Sequence, residues 1–232
     1  MKNKQRTIYK TYFVSGIDTG IGKTFVTGLM AKYLLSQGIN VITQKPVETG
    51  NSIFSADIQE HRDISGIELN EDDKNRKTNT YLFDFPASPH LSAKLAGTEI
   101  EREKIHHHTD YLVSKYDTVI IEGAGGLYVP LSENYLTIDE IKNRNYPLIL
   151  VSSNKLGSIN HTLMSLELCI FNKINLIALI YNQHTLQNDI ITDNSFEYFE
   201  EYLRNKIPEC KLIKIPYSFA EINNVDFSRI FF

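Results

Sequence analysis

The fold is decided by the stretch Phe13-Val14-Ser15-Gly16-Ile17-Asp18-Thr19-Gly20-Ile21-Gly22-Lys23-Thr24, an apolar run that breaks into glycines. Glycine lets a backbone turn tightly and point successive N–H groups at an anion. Lysine and threonine at the end of such a loop are the residue types that reach the outer phosphates of a nucleotide and bind Mg²⁺. The stretch therefore predicts a phosphate-binding loop, with Lys23 on the phosphates and Thr24 on the metal.

The residues on either side of the loop support this prediction, although its spacing is unusual. A strand-like run precedes it, and apolar residues at helical spacing follow it until Gly38 (Val26, Leu29, Met30, Tyr33 and Leu34). Five residues separate Gly16 from Gly22, and Ile17 stands where the general motif has glycine; that motif has about four spacer residues. The alternative is an ordinary glycine-rich turn whose lysine lies in solvent.

Length and composition predict one globular domain, residues 1–232. A chain of 232 residues buries roughly 70 to 75% of its unfolded surface, enough for one core without disulfides. The net charge of −4 argues against broad affinity for nucleic acid or anionic membranes. No apolar run approaches the roughly 20 residues that span a bilayer, and the polar start lacks the apolar core of a signal peptide. We therefore expect a cytoplasmic protein with no nucleic acid or membrane partner.

The two cysteines support the same compartment. Cys169 and Cys210 lie far apart in the sequence and lack the spacing of metal ligands. This usage is typical of a reducing compartment, and we expect both thiols to have a packing role.

Strand-like and helix-like segments alternate along the chain. This alternation predicts an α/β fold with a doubly wound, mostly parallel sheet and helices on both faces, similar to P-loop NTPases. Ligands bind such sheets at the carboxyl ends of the strands. Four predicted strand ends carry polar groups, namely the Gly16 loop, Lys45, Glu122 and Asn182. We expect these groups to meet at one edge of the sheet.

Several segments between these strands are predicted from local signals alone. Residues 48–52 are expected to form a polar loop, and Ser55 to cap a helix that carries Asp57 in its first turn. The charged segment 68–77 is expected to be solvated surface. Thr98 and Glu101 have the spacing of a capping box and predict the start of another helix. A later helix is expected to turn Ile159, Leu163, Leu166 and Ile170 inward.

Thr24, Asp57 and Glu122 are candidate Mg²⁺ ligands. Glu122 ends a continuously apolar strand, and a buried carboxylate needs a compensating cation. Mg²⁺ prefers oxygen ligands and binds one or two carboxylates together with phosphates and water. The alternatives are a structural ion pair for Glu122 and a helix-dipole interaction for Asp57.

Lys45 and Thr49 are the catalytic candidates outside the loop. Lys45 follows a predicted strand and precedes a proline, so its ammonium should project over the same edge as Lys23. The alternatives are a surface lysine and a threonine hydroxyl bonded to its own backbone. Gly123 to Gly126 could bring N–H groups to an oxyanion. The helix start at Gly157, Ser158, Ile159 and Asn160 could bind a carboxylate, although most helix starts bind only water.

Two further motifs have simpler explanations. His106, His107 and His108 are adjacent, so on a helix they point to different faces, and we expect a solvated helix rather than a metal site. The segment Ser153 to Gly157 is similar to the guanine-binding Asn-Lys-x-Asp motif, but Gly157 replaces the aspartate. Asn182 remains the better candidate for an adenine contact.

Six motifs together resemble the dethiobiotin synthetase family, in order, over roughly residues 11 to 217. They are Gly16–Thr24, Lys45–Gly50 (Lys-Pro-Val-Glu-Thr-Gly), Ser88–His90, Glu122–Gly126, Lys155–His161 (Lys-Leu-Gly-Ser-Ile-Asn-His) and Ile215–Pro216. The lengthened loop that departs from the general motif is itself a mark of this family.

The resemblance implies an ATP- and Mg²⁺-dependent ligase of biotin synthesis that joins 7,8-diaminopelargonate and CO2. One amine is carbamylated, ATP phosphorylates the carbamate, and the second amine closes the ring. Lys23, Lys45 and Thr49 would be catalytic, with Thr24, Asp57 and Glu122 on the metal. The implied nucleotide-binding residues are Thr19, Gly20, Ile21, Gly22, Lys23, Thr24, Phe25, Asp57, Glu122, Asn182, Gln183, Pro216 and Tyr217.

The family also implies a homodimer, with the diamino acid across the interface and its carboxylate at the helix start of the partner chain. The implied substrate-binding residues are Lys45, Thr49, Gly125, Gly157, Ser158, Asn160 and Tyr198.

Two other functions fit the loop less well. Partition or septum-placement ATPases usually carry an extra lysine early in the loop, where this chain has Ile17, Asp18 and Thr19. The ATP-dependent amidotransferase of corrin synthesis needs a glutaminase domain, for which this chain is too short.

Overall fold

The computed structural model describes residues 9–183, 188–222 and 225–232. The strands of this part, in chain order, are β1 (Thr11–Gly16), β2 (Val41–Gln44), β3 (Val47–Thr49), β4 (Tyr81–Phe83), β5 (Thr118–Gly126), β6 (Pro130–Ser132), β7 (Tyr135–Leu136), β8 (Leu148–Ser153), β9 (Leu176–Asn182) and β10 (Lys211–Ile215). The helices are α1 (Lys23–Ser36), α2 (Ala56–Ser65), α3 (Glu71–Lys74), α4 (Pro89–Leu95), α5 (Arg102–Lys115), α6 (Thr137–Asn143), α7 (Ser158–Phe171), α8 (Asp189–Lys206), α9 (Phe219–Ile222) and α10 (Ser228–Phe231).

Six parallel strands form the main sheet, in the order β10-β9-β8-β1-β5-β2. This confirms the predicted doubly wound parallel sheet. The chain first builds outward from β1 to β2 and returns to β5, and it then continues on the other side of β1 through β8, β9 and β10. The order reverses at β1, so the glycine loop after β1 lies at the switch point where such sheets bind ligands.

Apolar layers cover both faces of this sheet. Successive residues of a strand point to opposite faces, so Tyr12 and Val14 pack in the layer that contains α1, whereas Phe13 packs in the layer that contains parts of α5, α6, α7 and α8. Among the described residues, no helix has the length and apolar character needed to cross a membrane.

Close packing of α1 against α2 brings the two helices to one side of the glycine loop. Gly28 on α1 faces Ile64 on α2, and a Cβ at Gly28 would lie 2.8 Å from the Ile64 Cβ. A larger residue at position 28 would therefore push α2 outward. Ser55 caps α2 as predicted, because its hydroxyl accepts a hydrogen bond from the N–H of Ile58 at 3.0 Å.

Two segments that were expected to be polar surface are part of the structure. Residues Val47–Thr49 form β3, paired with β4, rather than a loop. In the segment 68–77, Asp72 and Asp73 are buried, and Asp73 accepts two hydrogen bonds from the buried guanidinium of Arg62, at 2.8 and 3.0 Å. Both predictions were wrong because the pairing partners, β4 for β3 and Arg62 for Asp73, lie elsewhere in the chain. The local pattern of charges does not reveal such distant partners.

Two helix predictions were wrong in detail. The capping box at Thr98 does not form, since α5 begins at Arg102 with Glu101 as its N-cap residue and without a side-chain cap. On α7, Ile170 is 40% exposed, while Thr162 and Cys169 are buried together with Leu166. The inward face of α7 is therefore rotated from the one that the apolar residues indicated.

Two of the three adjacent histidines are less solvated than predicted, while His107 is exposed. His106 Nε2 lies 2.9 Å from Glu140 Oε1 on α6, and His108 Nδ1 lies 3.0 Å from the Thr80 hydroxyl. Burial, with nearby lysines, lowers the pKa of His108 to about 4. The cysteines agree with the predicted packing role, because both are buried free thiols.

Candidate active site

The glycine loop closes tightly over the end of β1. Gly22 has a φ of 84°, a conformation that side chains with a Cβ rarely adopt, and a Cβ there would lie 2.3 Å from the Asn182 amide nitrogen. At Gly16 a Cβ would lie 2.6 Å from the Ile21 Cδ1 atom. Glycine suits both positions: Gly22 because of its φ, and Gly16 because a Cβ there would require the Ile21 side chain to move.

Lys23, the first residue of α1, folds back along the loop. Its Nζ donates to the Asp18 carbonyl at 2.8 Å, and only 7% of the residue is exposed. Burial, and next the nearby Lys45 ammonium, lower the pKa of Lys23 to about 8. The side chain therefore carries a charge at neutral pH, and no carboxylate of the described residues lies within ion-pair distance of it, which suits an anionic ligand.

Lys45 lies just beyond the end of β2, with its ammonium between two carboxylates. Its Nζ is 2.7 Å from Glu122 Oε1 and 2.6 Å from Asp57 Oδ2. It also donates to the Gly123 carbonyl at 3.2 Å. Glu122 is 1% exposed and Lys45 is 5% exposed. The structure therefore brings the end of β2, the middle of β5 and the first turn of α2 to one point. The meeting of Lys45, Asp57 and Glu122 agrees with the sequence prediction, but β5 continues to Gly126, so Glu122 does not end its strand as predicted.

The charges in this cluster stabilise one another. Burial by itself disfavours a charge on Lys45, but the Glu122 and Asp57 carboxylates outweigh it and raise the pKa of Lys45 above its ordinary value. Burial likewise opposes the charge on Glu122, but the Lys45 ammonium and then His61 hold the pKa of Glu122 well below its usual range. Both residues are ionised at neutral pH.

Three oxygen-bearing side chains converge beside Lys23. The Thr24 hydroxyl lies 3.1 Å from Asp57 Oδ1 and 3.2 Å from Glu122 Oε1. Two carboxylates and one hydroxyl are ligands that Mg²⁺ accepts, and the Lys45 ammonium bound between the carboxylates demonstrates that they attract a cation. The donor set therefore fits Mg²⁺, with Thr24, Asp57 and Glu122 as the residues that would hold it.

An open cavity of about 450 Å³ lies over this cluster. Its lining includes both candidate lysines, Lys23 and Lys45, and half of the other predicted site residues. Its lining is Thr19, Gly20, Gly22, Lys23, Thr24, Phe25, Lys45, Glu48, Thr49, Asp57, Glu60, Glu122, Ala124 and Gly125. Thr49 on β3 and Gly125 at the end of β5 thus face the same space as the glycine loop.

The remaining predicted nucleotide contacts lie beside this cavity. The Ile21 side chain is buried in the apolar layer, so only its main chain can contact a ligand. Asn182, at the end of β9, is 1% exposed and donates to the Ile21 carbonyl at 2.9 Å, which ties β9 to the loop. Gln183 and Pro216 line a second cavity of about 650 Å³, and Tyr217 is exposed next to it.

The predicted carboxylate-binding helix start is near the loop only in part. Lys155, just before α7, lies with its Nζ 3.3 Å from the Gly20 carbonyl. The Ser158 hydroxyl is 2.8 Å from that of Ser153 and is buried. Gly157 and Asn160 are exposed, as is Tyr198 on α8. These four predicted substrate residues line neither of the two cavities described above.

Two residues around the site had no assigned role at the sequence level. His61 Nε2 lies 2.7 Å from Glu122 Oε2, and both groups are buried. Its position four residues after Asp57 on a helix was the available signal, because such residues share a face. Glu48 accepts hydrogen bonds from the Ser55 hydroxyl and from the N–H groups of Ala56 (2.9 Å) and Asp57 (3.4 Å). It thereby holds the first turn of α2.

A strand, a glycine loop and a helix that begins with lysine and threonine, placed at the switch point of a parallel sheet, define a P-loop nucleotide-binding protein. A family model described as an AAA domain matches residues 10–217. The ATP-dependent dethiobiotin synthetase of Pasteurella multocida is 47% identical over 86% of this chain and 93% of its own length. That of Chlorobaculum tepidum is 47% identical over 82% of this chain and 80% of its own length. The chain belongs to the dethiobiotin synthetase family, as its motifs predicted.

Solved structures of other P-loop proteins share the fold. In a MinC:MinD cell division complex of Aquifex aeolicus, the similar chain has a TM-score of 0.53 and 15% identity, with 93% of this chain and 86% of that chain covered. The ParA protein bound to nonspecific DNA has a TM-score of 0.53 and 15% identity, with 88% and 79% covered. These two similarities establish the fold alone, whereas the much higher identities above establish the family.

Proposed function

We propose that this protein is an ATP-dependent dethiobiotin synthetase that forms dethiobiotin from 7,8-diaminopelargonate and CO2. The observation that carries the proposal is the Lys45 ammonium, held by Glu122 and Asp57 beside the Lys23 end of the glycine loop. A phosphate-binding loop alone fits any nucleotide-dependent protein. A second buried lysine that faces the same cavity could bind an anionic co-substrate that accepts the phosphoryl group.

The proposed reaction has three steps. An amine nitrogen of the diamine forms a bond to the carbon of CO2 and loses a proton, which gives a carbamate. A carbamate oxygen then forms a bond to the terminal phosphorus of ATP, and the bond from that phosphorus to ADP breaks. The second amine attacks the carbamate carbon and loses a proton, the bond from that carbon to the phosphate oxygen breaks, and the ureido ring closes as phosphate leaves.

The residues of the cavity suit these steps. Lys23 and the loop N–H groups would neutralise the phosphates, while Lys45 would stabilise charge on the carbamate and on the phosphoryl group in transfer. The Thr49 hydroxyl would hydrogen-bond the carbamate, and the Gly125 main chain would contact the substrate. No step requires a nucleophilic side chain, so catalysis rests on position and charge. Mg²⁺, bound by Thr24, Asp57 and Glu122, would add positive charge at the phosphates.

The adenine and the substrate carboxylate would lie at opposite ends of this site. We propose Asn182, Gln183, Pro216 and Tyr217 as the residues around the base. The bond from Asn182 to the loop supports this, as does the second cavity, which Gln183 and Pro216 line. For the carboxylate we propose the helix start of a partner chain, with Gly157, Ser158 and Asn160, and with Tyr198 as a possible hydroxyl donor. Because these residues lie outside the cavity of their own chain, a homodimer would complete the site.

Exposed apolar side chains support the proposed homodimer. On α7, Met164 is 59% exposed and Phe171 is 83% exposed, and on α8 Ile190 is 79% exposed. A homodimer interface over α7 and α8 would cover these apolar side chains. We further propose a single domain in the cytoplasm, a location that fits the two free buried cysteines.

The product assay tests the proposed activity. The protein would be incubated with 7,8-diaminopelargonate, ¹³C-bicarbonate, Mg²⁺ and ATP, and the products analysed by mass spectrometry. We expect dethiobiotin that carries one labelled carbon. Lys45→Ala should abolish turnover while ATP binding persists, whereas Lys23→Ala should weaken ATP binding as well. Absence of product, together with ATP hydrolysis that DNA or lipid stimulates, would indicate a nucleotide switch instead.

A mixing experiment tests the shared site. Lys45→Ala and Asn160→Ala alter opposite sides of the proposed interface, so each variant alone should be impaired. A mixed dimer contains one intact site, and random exchange of subunits should restore about a quarter of the unsubstituted activity. Mixed samples that are no more active than the separate variants would show that each site lies within one chain.

A further inference from the structure

The two oxygens of Glu122 have different partners. Oε1 faces the cavity, where Lys45 Nζ lies at 2.7 Å and the Thr24 hydroxyl at 3.2 Å. Oε2 points away from the cavity to His61 Nε2, at 2.7 Å. The carboxylate plane therefore has one edge toward the ligand site and one edge toward α2.

The His61 ring can hold the carboxylate in this orientation. The terminal torsion of a glutamate side chain has broad minima, so packing alone does not fix the carboxylate plane. An ionised carboxylate only accepts hydrogen bonds, so His61 Nε2 must carry the proton between the two groups. His61 is fully buried, and its other ring nitrogen, Nδ1, has no hydrogen-bond partner among the described residues. The bond to Glu122 is thus the polar contact that orients the ring.

The helix that carries His61 is itself rigidly attached. Asp57 and His61 are four residues apart on α2, so one face of the helix supplies both a group in the cavity and a group behind it. The next residue, Arg62, binds Asp73 through two nitrogens and the Thr43 hydroxyl at 2.7 Å. Arg62 thereby anchors α2 to α3 and β2, and a movement of His61 relative to Glu122 would break these buried bonds.

We propose that His61 is a positioning residue, whose Nε2–H holds Oε2 of Glu122 so that Oε1 faces Thr24, Lys45 and the Mg²⁺ of the nucleotide complex. This inference rests on the proposed function only in taking Mg²⁺–ATP as the ligand. Outer partners that orient a metal-ligating side chain affect metal affinity by about 10- to 100-fold when they are removed. His61 acts through Glu122 and has no contact with the phosphates.

Two substitutions separate a hydrogen-bond role from a packing role. His61→Leu removes the donor but keeps an apolar group of similar size. His61→Gln places an amide N–H close to the position of Nε2. For each variant, Mg²⁺ would be titrated into the protein at a fixed concentration of a fluorescent ATP analogue, and the analogue's affinity would also be measured in EDTA.

We expect His61→Leu to raise the Mg²⁺ concentration at half-saturation by about 10-fold or more, with affinity in EDTA unchanged within about twofold. His61→Gln should restore most of the Mg²⁺ dependence. An unchanged Mg²⁺ requirement in a folded His61→Leu protein would overturn the inference. So would a His61→Gln protein as defective as His61→Leu, because the shape of the ring would then be the cause.

A measurement on the unsubstituted protein covers the case in which His61→Leu does not fold. Nitrogen-15 NMR of labelled histidines, with the His61 signals assigned from His61→Gln, reports which ring nitrogen carries the proton. We expect a protonated Nε2, and a ring protonated only at Nδ1 would contradict the proposal. Because Mg²⁺-dependent nucleotide binding is measured without the diamine, these results remain decisive even if the protein forms no dethiobiotin.

Discussion

Replacement of Lys45 by methionine would leave two carboxylates at the heart of the site without their shared cation. Methionine keeps much of the length of the lysine side chain but removes the ammonium that lies 2.7 Å from Glu122 and 2.6 Å from Asp57. Removal of one partner of a buried ion pair costs about 3–5 kcal/mol of stability. Glu122 retains its bond to His61, but it is only 1% exposed, so water would screen its charge very little.

Protonation of Glu122 limits this cost and makes it depend on pH. An isolated carboxyl of this type has a pKa of 4.5, so forcing the neutral form at pH 7 costs about 3.4 kcal/mol, at about 1.4 kcal/mol per pH unit. We therefore expect Lys45→Met to lose about 3 kcal/mol at pH 7, and about 1 kcal/mol at pH 5. In a chain of 232 residues, the loss at pH 7 corresponds to a fall in Tm of about 6–12 °C.

The direction of the pH dependence follows from the pKa of Glu122 in the folded unsubstituted protein and in the folded Lys45→Met variant. In the unsubstituted protein the pKa of Glu122 is lowered, so its contribution to stability is present above the unfolded pKa and is lost as pH falls through the folded pKa. Without Lys45, burial raises the pKa of Glu122, and the variant loses stability as pH rises above about 4.5. The difference in Tm between the two proteins should therefore widen with pH.

Thermal unfolding between pH 5 and pH 8, with EDTA and without nucleotide, measures this difference. Lys32→Met is the matched control, because Lys32 is an exposed lysine on α1. A Tm difference that is the same at pH 5 and pH 8, or no larger than that of the control, would refute the assignment of Lys45 as the cation of a buried cluster.

Three further predictions follow from single contacts. Gly22→Ala should weaken ATP binding at least 10-fold in equilibrium titrations, since alanine at a φ of 84° would also place a Cβ 2.3 Å from the Asn182 amide. ATP affinity should fall about tenfold between pH 7 and pH 9, because the Lys23 ammonium, with its pKa near 8, is lost as pH rises; a flat profile would contradict a role for its charge. Glu48→Ala should lower stability by about 1–2 kcal/mol and speed hydrogen exchange at the N–H groups of Ala56 and Asp57; unchanged exchange there would show that Glu48 does not hold the start of α2.

The central part of the site was predictable because its signals are local. The glycine loop is one contiguous stretch, and the φ of Gly22 gives a steric reason for glycine at that position. Lys45 directly follows β2, and Glu122 lies four residues before the end of β5. Parallel strands bring their carboxyl ends to one edge of a sheet, so both residues were expected near the loop. The alternation of strands and helices predicted the doubly wound, mostly parallel sheet, but not the order of its strands.

The support around the site was not predictable, because each contact joins distant segments. The Arg62 guanidinium and the Asp73 carboxylate are both in charged stretches that look like surface, and only the folded chain makes them a buried pair. His61 has the correct spacing from Asp57, but the sequence does not show that Glu122 lies opposite that face. Strand β3 has three residues, too few for a periodic signal.

The C-terminal segment shows a related limit. Residues 217–232 have no helical or strand period, yet Phe227 and Phe231 are buried in the apolar layer over α1. The Phe231 ring packs edge-on against Tyr12 of β1, with 4.9 Å between ring centroids. Single aromatic residues can fill a gap in a core without any repeating pattern, so sequence periodicity does not find them.

The central claim is that the site presents the terminal phosphate of ATP to a carbamate. The most direct test of this claim is to follow the oxygen atoms of CO2 into the products. CO2 with both oxygens labelled by ¹⁸O would be mixed rapidly with enzyme, diamine and Mg²⁺–ATP, and the products analysed before the label exchanges with water. Transfer through a carbamic-phosphoric anhydride predicts one labelled oxygen in the released phosphate and the other in the ureido carbonyl of dethiobiotin. Phosphate that carries oxygen only from water and ATP would contradict the account.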